Sequence, residues 1–219
     1  MSPDPVVATV LDFHRLAAQT GSGPARTAPP APRVPHPAAT PSWRAPTTRI
    51  FANRRPPRAE LARMLTRAYG HAEPTRAVPS AGRTYGLRIH LVGYDGGPVL
   101  KYHPDGRLET VRQVSAEAVR GCLHQQFAGT PWIVVVSGHL PGYTRRYEIR
   151  GYRYLLLEAG HLGQELIRAA TGRFACCPFG SFDDQGLLRL TAEQFTGAVP
   201  VYGLAVGDPH DRTEQADEP

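Results

Sequence analysis

Residues 153–171 read RYLLLEAGHLGQELIRAAT, the longest helix candidate in the chain, with the small residues Ala159, Gly160 and Gly163 falling close together on its surface. Small side chains let a second helix approach closely, so the stretch predicts a helix buried at the domain centre or at a subunit interface. Glu158 and His161 stand three residues apart within it, a spacing at which two side chains of a packed helix hydrogen-bond to each other.

Outward from this helix the chain divides into recognisable elements. Upstream, residues 57–69 (PRAELARMLTRAY) carry Leu61, Met64, Leu65 and Ala68 on one face, with a proline at the start and Gly70 just past the end, and predict a second helix. Residues 87–93 read as a strand, and residues 99–103 and 107–111 as a hairpin around Pro104, Asp105 and Gly106. Residues 115–127 predict a helix with Ser115 as its N-cap. The apolar, β-branched run 132–136 predicts a strand covered on both faces. Downstream come the tight segment 177–184 (CPFGSFDD), a short helical patch and a last strand over 199–206. Helices and strands alternate without a regular βα repeat, so the fold class is α+β.

At the N-terminus, residues 6–18 have helical apolar spacing, giving a short amphipathic helix within residues 1–20. Residues 21–46 hold eight prolines and almost no large apolar side chain; they read as a linker or as an arm crossing to a partner subunit. The globular part spans residues 47–207, followed by an acidic tail over 208–219.

Composition narrows the function classes. The 219 residues are 41% hydrophobic, enough for a proper core. No segment approaches the roughly 20 consecutive apolar residues of a membrane span, and the start lacks the layout of a signal peptide, so a cytoplasmic protein is expected. Cys122, Cys176 and Cys177 have no metal-ligand spacing and read as reduced thiols; no metal site is expected. The formal charge is +6, but Lys101 is the only lysine. Without a basic helical stripe or an RNA-binding aromatic motif, nucleic acid is not the expected partner.

Taken together, FHRL (13–16), ELARMLTRAYG (60–70), RAVPSAGRTYGLRIHLV (76–92), YHPDGRLETV (102–111), RYEIRGYRYLLLEAGHLGQ (146–164), CPFGSFDD (177–184) and VYGLAVGDP (201–209) resemble, in order, the SagB-type dehydrogenases of the FMN-dependent nitroreductase-like superfamily. The resemblance implies an α+β sandwich with a central mixed or antiparallel sheet flanked by helices, in an interlocked homodimer with FMN at the subunit interface. It further implies dehydrogenation of azoline rings in a ribosomally made, modified precursor peptide to thiazole or oxazole. Dioxygen is the implied electron acceptor, and a cyclodehydratase complex the implied partner. The alternatives are an FMN-dependent nitroreductase-like enzyme acting on another substrate and a non-catalytic scaffold of a peptide-modifying complex.

Site residues follow from the needs of a flavin: a cation for its phosphate, close backbone approach to the ring, and donors where charge develops on reduction. The superfamily's Arg-rich phosphate motif aligns with residues 45–51, where Thr47 supplies the hydroxyl and Arg49 the cation, while Ala45 and Pro46 stand at its leading basic positions. Arg44, Arg54 or Arg55 are alternative cations, and Arg212 beyond the last strand is a further phosphate candidate. Ser80 and Gly82 of PSAG match a flavin-edge segment; a plain turn is the other reading. Pro178, Gly180 and Ser181 match the family loop whose main chain faces the reactive edge.

The implied catalytic pair is a lysine and a tyrosine, which here are Arg146 and Tyr147. Taking a ring proton requires a group able to accept one; Tyr147 qualifies, whereas a guanidinium does not, which leaves Arg146 as a neighbouring charge.

Overall fold

The computed structural model describes residues 5–19, 47–72 and 75–210. Its frame is β6 (Trp132–His139), buried from Trp132 through Gly138 as its valine run predicts. Side chains alternate across a strand, so Trp132, Val134 and Val136 enter one core while Ile133 and Val135 enter a second on the opposite face. Burying each of these large side chains stabilises by about 1.5–3 kcal/mol.

Around β6 lie β3 (Leu87–Gly93), β4 (Gly97–Tyr102), β5 (Leu108–Val114), β7 (Ala175–Phe179) and β8 (Ala198–Gly207). The spatial order is β5-β4-β3-β6-β8-β7, with every neighbouring pair antiparallel. A separate two-stranded ribbon pairs β1 (His71–Ala72) with β2 (Thr75–Arg76). One sheet face is covered by α2 (Arg58–Tyr69) and α5 (Arg150–Ala170), together with α1 (Pro5–Gln19) and α4 (Leu140–Tyr147). The other face is covered by α3 (Ala116–Cys122) and α6 (Asp184–Leu190) through Val119, Leu187 and Leu190. The result is the α+β sandwich expected from the sequence, with a wholly antiparallel central sheet among the described residues.

Several local expectations are corrected. The helix predicted over 115–127 stops at Cys122, because His124 and Gln125 are left-handed and turn the chain out of it. Phe127 then packs edge-on against Phe51, Tyr94 and Phe179. The front of CPFG is not a turn but edge strand β7, where Pro178 is tolerated because an edge strand has one unpaired side. Segment 146–153 is split by Glu148 (φ 52°), which ends α4 after Tyr147 and lets α5 begin at Arg150.

The small residues of α5 do not act as one patch. Gly160 is exposed, whereas Gly163 faces the sheet, where an added Cβ would lie 2.6 Å from the Tyr202 ring. Glu158 does not pair with His161 either: it is buried and bonded to two tyrosines, while His161 is exposed. Asp208, at the start of the predicted tail, is buried between Arg54 and Arg173, at 2.8 and 2.7 Å. Residues 21–46, including Arg44, and Arg212 lie outside the described residues.

Candidate functional site

The predicted site residues fall into two groups. The first is the loop from Ser80 to Gly86, which joins β2 to β3 and meets the C-terminal end of α4. Gly82 (φ 58°), Arg83 (φ 56°) and Tyr85 (φ 46°) are all left-handed here. Such backbone costs about 1–3 kcal/mol per strained non-glycine residue and collects at functional sites, where surrounding contacts hold it in place. Those contacts are visible. Arg146 Nη1 donates to the Gly82 carbonyl at 3.0 Å, the Tyr85 N–H donates to Ser80 Oγ at 2.9 Å, and the Gly86 N–H donates to Tyr143 Oη at 3.2 Å.

Tyr147 is the last residue of α4 and is half-buried. Its ring meets Tyr154 edge-on at 4.8 Å, the Arg146 guanidinium lies 5.4 Å from its centre, and its hydroxyl would sit 2.4 Å from a Cβ at Gly82. Ser80, Gly82, Arg146 and Tyr147 are thereby brought together although more than 60 residues of chain separate the two pairs. Only a residue without a side chain permits this approach.

The second group joins the segment from Thr47 to Phe51 to β7 and the loop after it. The Thr48 N–H donates to the Cys176 carbonyl at 3.3 Å, and Ile50 and Phe51 form bridges to Ala128 and Pro209. Burial pushes the Cys177 thiol pKa up, and the neighbouring charge of Arg49 opposes that rise. Arg49 and Thr47 are exposed. Arg54 is committed to Asp208, and Arg55 to Asp95, the Gly96 carbonyl and the Trp132 ring, which leaves Arg49 as the available cation among the described residues of this segment. Pro178 lies in β7, while Gly180 and Ser181 are exposed just beyond it. The Ser181 carbonyl accepts from Gln126 Nε2 at 2.9 Å, and a Cβ at Gly180 would meet open space.

These residues fit what a flavin needs from a protein. An exposed cation stands beside β7 near Cys177, an open glycine follows the end of that strand, and a strained loop at the other end of the sheet presents its backbone against a tyrosine hydroxyl. FMN, if bound, would find phosphate-type contacts at Thr47 and Arg49 and close main-chain approach at Gly82 and Gly180.

A cavity of about 1050 Å³ lies elsewhere, bounded by α1, α4, α6 and the segment up to Pro200. None of the predicted site residues lines it, although Phe182 does, next to Ser181. On its wall His14 bridges Asp184 through Nε2 at 2.9 Å and the Tyr152 hydroxyl through Nδ1 at 2.5 Å. This arrangement ties α1 to α5 and α6, which accounts for His14 without a reaction.

Sequence reasoning missed Tyr143. It is wholly buried, and its hydroxyl links Gly86 to Glu158. Desolvation, then the hydrogen bond and charge of Glu158, push its pKa well up, so it is a hydroxyl donor at neutral pH. Nothing in PGYTRR marks it, because its partners come from distant parts of the chain.

Comparison with known proteins places these features in context. A nitroreductase-like protein of Methanocaldococcus jannaschii is 36% identical over 124 residues, a match spanning 51% of this chain and 62% of that protein. A chain of the E. coli microcin synthetase McbBCD complex with truncated pro-MccB17 bound superimposes with a TM-score of 0.76 at 20% identity, over 95% of each chain. An NAD(P)H:FMN oxidoreductase structure from Staphylococcus epidermidis gives 0.51 at 14% identity, over 78% of this chain and 90% of that one. At such identities the structural likenesses establish the fold alone. The sequence model of the nitroreductase family matches residues 44–208, and the chain belongs to that family.

Proposed function

We propose that this protein is an FMN-dependent dehydrogenase that oxidises azoline rings of a ribosomally made peptide to thiazole or oxazole. The observation that carries the reading is the seating of the Tyr147 hydroxyl against Gly82, with the Arg146 guanidinium beside both. Bound FMN supplies the hydride acceptor for such a reaction. Tyr147 takes the proton that the ring carbon loses, and Arg146 fixes the loop rather than exchanging protons. Thr47 and Arg49 hold the phosphate, and the main chain at Gly82, Gly180 and Ser181 approaches the ring. The likeness to a chain of a microcin synthetase complex with a bound pro-peptide supports a peptide substrate and a partner in a synthetase complex, for which a cyclodehydratase is our proposal.

We further read the protein as a cytoplasmic homodimer. Among the described residues no helix is long and apolar enough to cross a membrane. Ile149, Leu156 and Leu157 are exposed at and along α5, at 57%, 41% and 54%, with Gly160 beside them, which suits a face covered by a second copy.

A second reading keeps FMN but reduces a nitro-type substrate with a nicotinamide donor. Arg146 in the place of the family lysine favours it, as does the likeness to an NAD(P)H:FMN oxidoreductase. A colourless protein that takes up no FMN would instead point to the scaffold. The visible spectrum of the purified protein, with release and identification of any yellow chromophore, tests the flavin. Conversion of an azoline-containing peptide, read as loss of two hydrogen atoms by mass, then separates the two enzymatic readings.

A further inference from the structure

The turn from α4 into α5 is a corner of arginines. Residues 145–153 read RRYEIRGYR, four arginines and one glutamate in nine residues, and Arg83 joins them from the strained loop, one residue after the Gly82 carbonyl that holds Arg146. Gly151 lets the two helices meet there: a Cβ on it would lie 2.7 Å from the Tyr143 carbonyl carbon and 2.9 Å from the Thr144 nitrogen. Tyr154, next to Arg153 and one turn on from Arg150, meets the Tyr147 ring edge-on at 4.8 Å, so the first turn of α5 adjoins the candidate site.

Arg83, Arg145, Arg150 and Arg153 are all exposed, and among the described residues none has a carboxylate partner; Glu148, the one acid of the run, pairs with none of them. Helix dipoles account for only part of the corner. Cations are favoured at the C-terminal end of α4, where Arg145 stands, and disfavoured at the N-terminal end of α5, which opens on Arg150 with no acidic residue in its first turn. Helix stability therefore gives no reason for Arg150 and Arg153, and the unneutralised guanidinium groups hold a positive potential beside Tyr147. Arg145 also lines the cavity of about 1050 Å³, whose walls include Leu11, Pro141, Phe182 and Leu188. Planar cations next to an apolar wall suit a peptide with carboxylate side chains, because a phosphate backbone brings no side chain to that wall.

We propose that Arg83, Arg145, Arg150 and Arg153 form a docking surface for acidic residues of the peptide substrate, holding the aspartate or glutamate side chains that flank the reacting ring. This rests on the peptide-oxidising reading above for the identity of the substrate. Exposed ion pairs are individually weak, but several carboxylates meeting several planar forks add up, and they act on capture of the peptide rather than on the chemical step. Affinity and KM carry the effect, and kcat does not.

Binding is read by fluorescence anisotropy of a dye-labelled, ring-free peptide rich in glutamate and of its counterpart with every glutamate replaced by glutamine. The glutamate peptide is expected to bind about tenfold tighter, a preference erased by salt that cuts the Debye length from about 10 Å to about 3 Å. Arg150→Gln with Arg153→Gln is expected to weaken the glutamate peptide about tenfold without lowering the melting temperature. Arg58→Gln with Arg63→Gln removes the same charge on α2 near the opposite end of α5, where Glu60 meets Arg173 at 2.6 Å, and is expected to leave the affinity within about twofold. Equal loss in the two double variants assigns the effect to net charge and overturns the proposal, as does equal binding of the two peptides. A single-stranded oligonucleotide of matched charge that binds tighter than the glutamate peptide, and loses affinity in Arg150→Gln with Arg153→Gln, overturns it in favour of nucleic acid. With an azoline peptide flanked by glutamates, the Arg150 and Arg153 double variant is expected to raise KM about tenfold at unchanged kcat. Wild-type protein that oxidises no azoline sinks the function proposed above, while the anisotropy still reports whether the corner takes acidic peptides.

Discussion

Arg146 donates from Nη1 to the carbonyl of Gly82 at 3.0 Å, joining the end of α4 to a left-handed residue on the far side of four strands in sequence. The contact gives the guanidinium a defined task at a position where a lysine would present a single ammonium. A fork of donors can hold a carbonyl and still lie beside the Tyr147 ring, 5.4 Å away. Arg146→Lys is expected to loosen the loop, seen as faster proteolytic cleavage between Ser80 and Gly86, with the overall melting temperature little changed.

Gly82→Ala tests the close approach itself. The new methyl would lie 2.4 Å from Tyr147 Oη and 2.3 Å from Arg146 Nη1, at a φ of 58° that side chains resist. The expected cost is about 1–3 kcal/mol, read as a lower denaturant midpoint, with FMN content reduced in step. Full FMN content with unchanged stability would show that the loop sits differently.

Tyr147→Phe is expected to retain FMN and lose roughly 10²–10⁴-fold in azoline oxidation, the range for removal of a general base. Activity within a few-fold of wild type, with flavin bound, would assign the proton to another group.

Arg49→Ala removes the one cation of its segment not engaged by a described partner. FMN affinity is expected to fall about tenfold or more, the effect of losing a charge-assisted phosphate contact. Titration followed by flavin fluorescence measures it. Unchanged affinity would move the phosphate to another arginine.

His90 on β3 is 1% exposed and its pKa is lowered, first by burial. Glu193, 3.9 Å away, pulls it back up, while Lys101, Arg88 and His103 add to the depression. The folded protein therefore holds a neutral imidazole where the unfolded chain binds a proton. Stability is complete above the ordinary value of 6.5 and is lost as pH falls below it, by up to about 1.4 kcal/mol per pH unit. Urea melts at pH 7.5 and 5.5 measure the loss, which His90→Gln is expected to reduce. A wild-type stability equal at the two pH values would contradict this account.

The pair of substitutions Leu156→Glu and Leu157→Glu places charge on the exposed face of α5. On the homodimer reading, sedimentation is expected to show a dimer for the wild type and a monomer for the double variant; a dimer in both would put the interface elsewhere.

The sequence by itself determined the elements whose periodicity is local. The helical spacing of Leu61, Met64 and Leu65, the valine run of β6 and the strand over 87–93 each appear where the pattern puts them, because burial selects one face of a helix or both faces of a central strand. The order of family motifs carried the α+β sandwich as well. What only the tertiary structure decided depends on partners distant in the chain. Glu158 pairs with Tyr69 and Tyr143 rather than with His161, Gly163 makes room for Tyr202, and His124 and Gln125 cut a helix short ahead of Phe127. The approach of Tyr147 to Gly82 is of the same kind. Hydrogen-bond geometry and close packing are set by where folding delivers each backbone, and no spacing along one segment encodes what the opposing segment will bring to meet it.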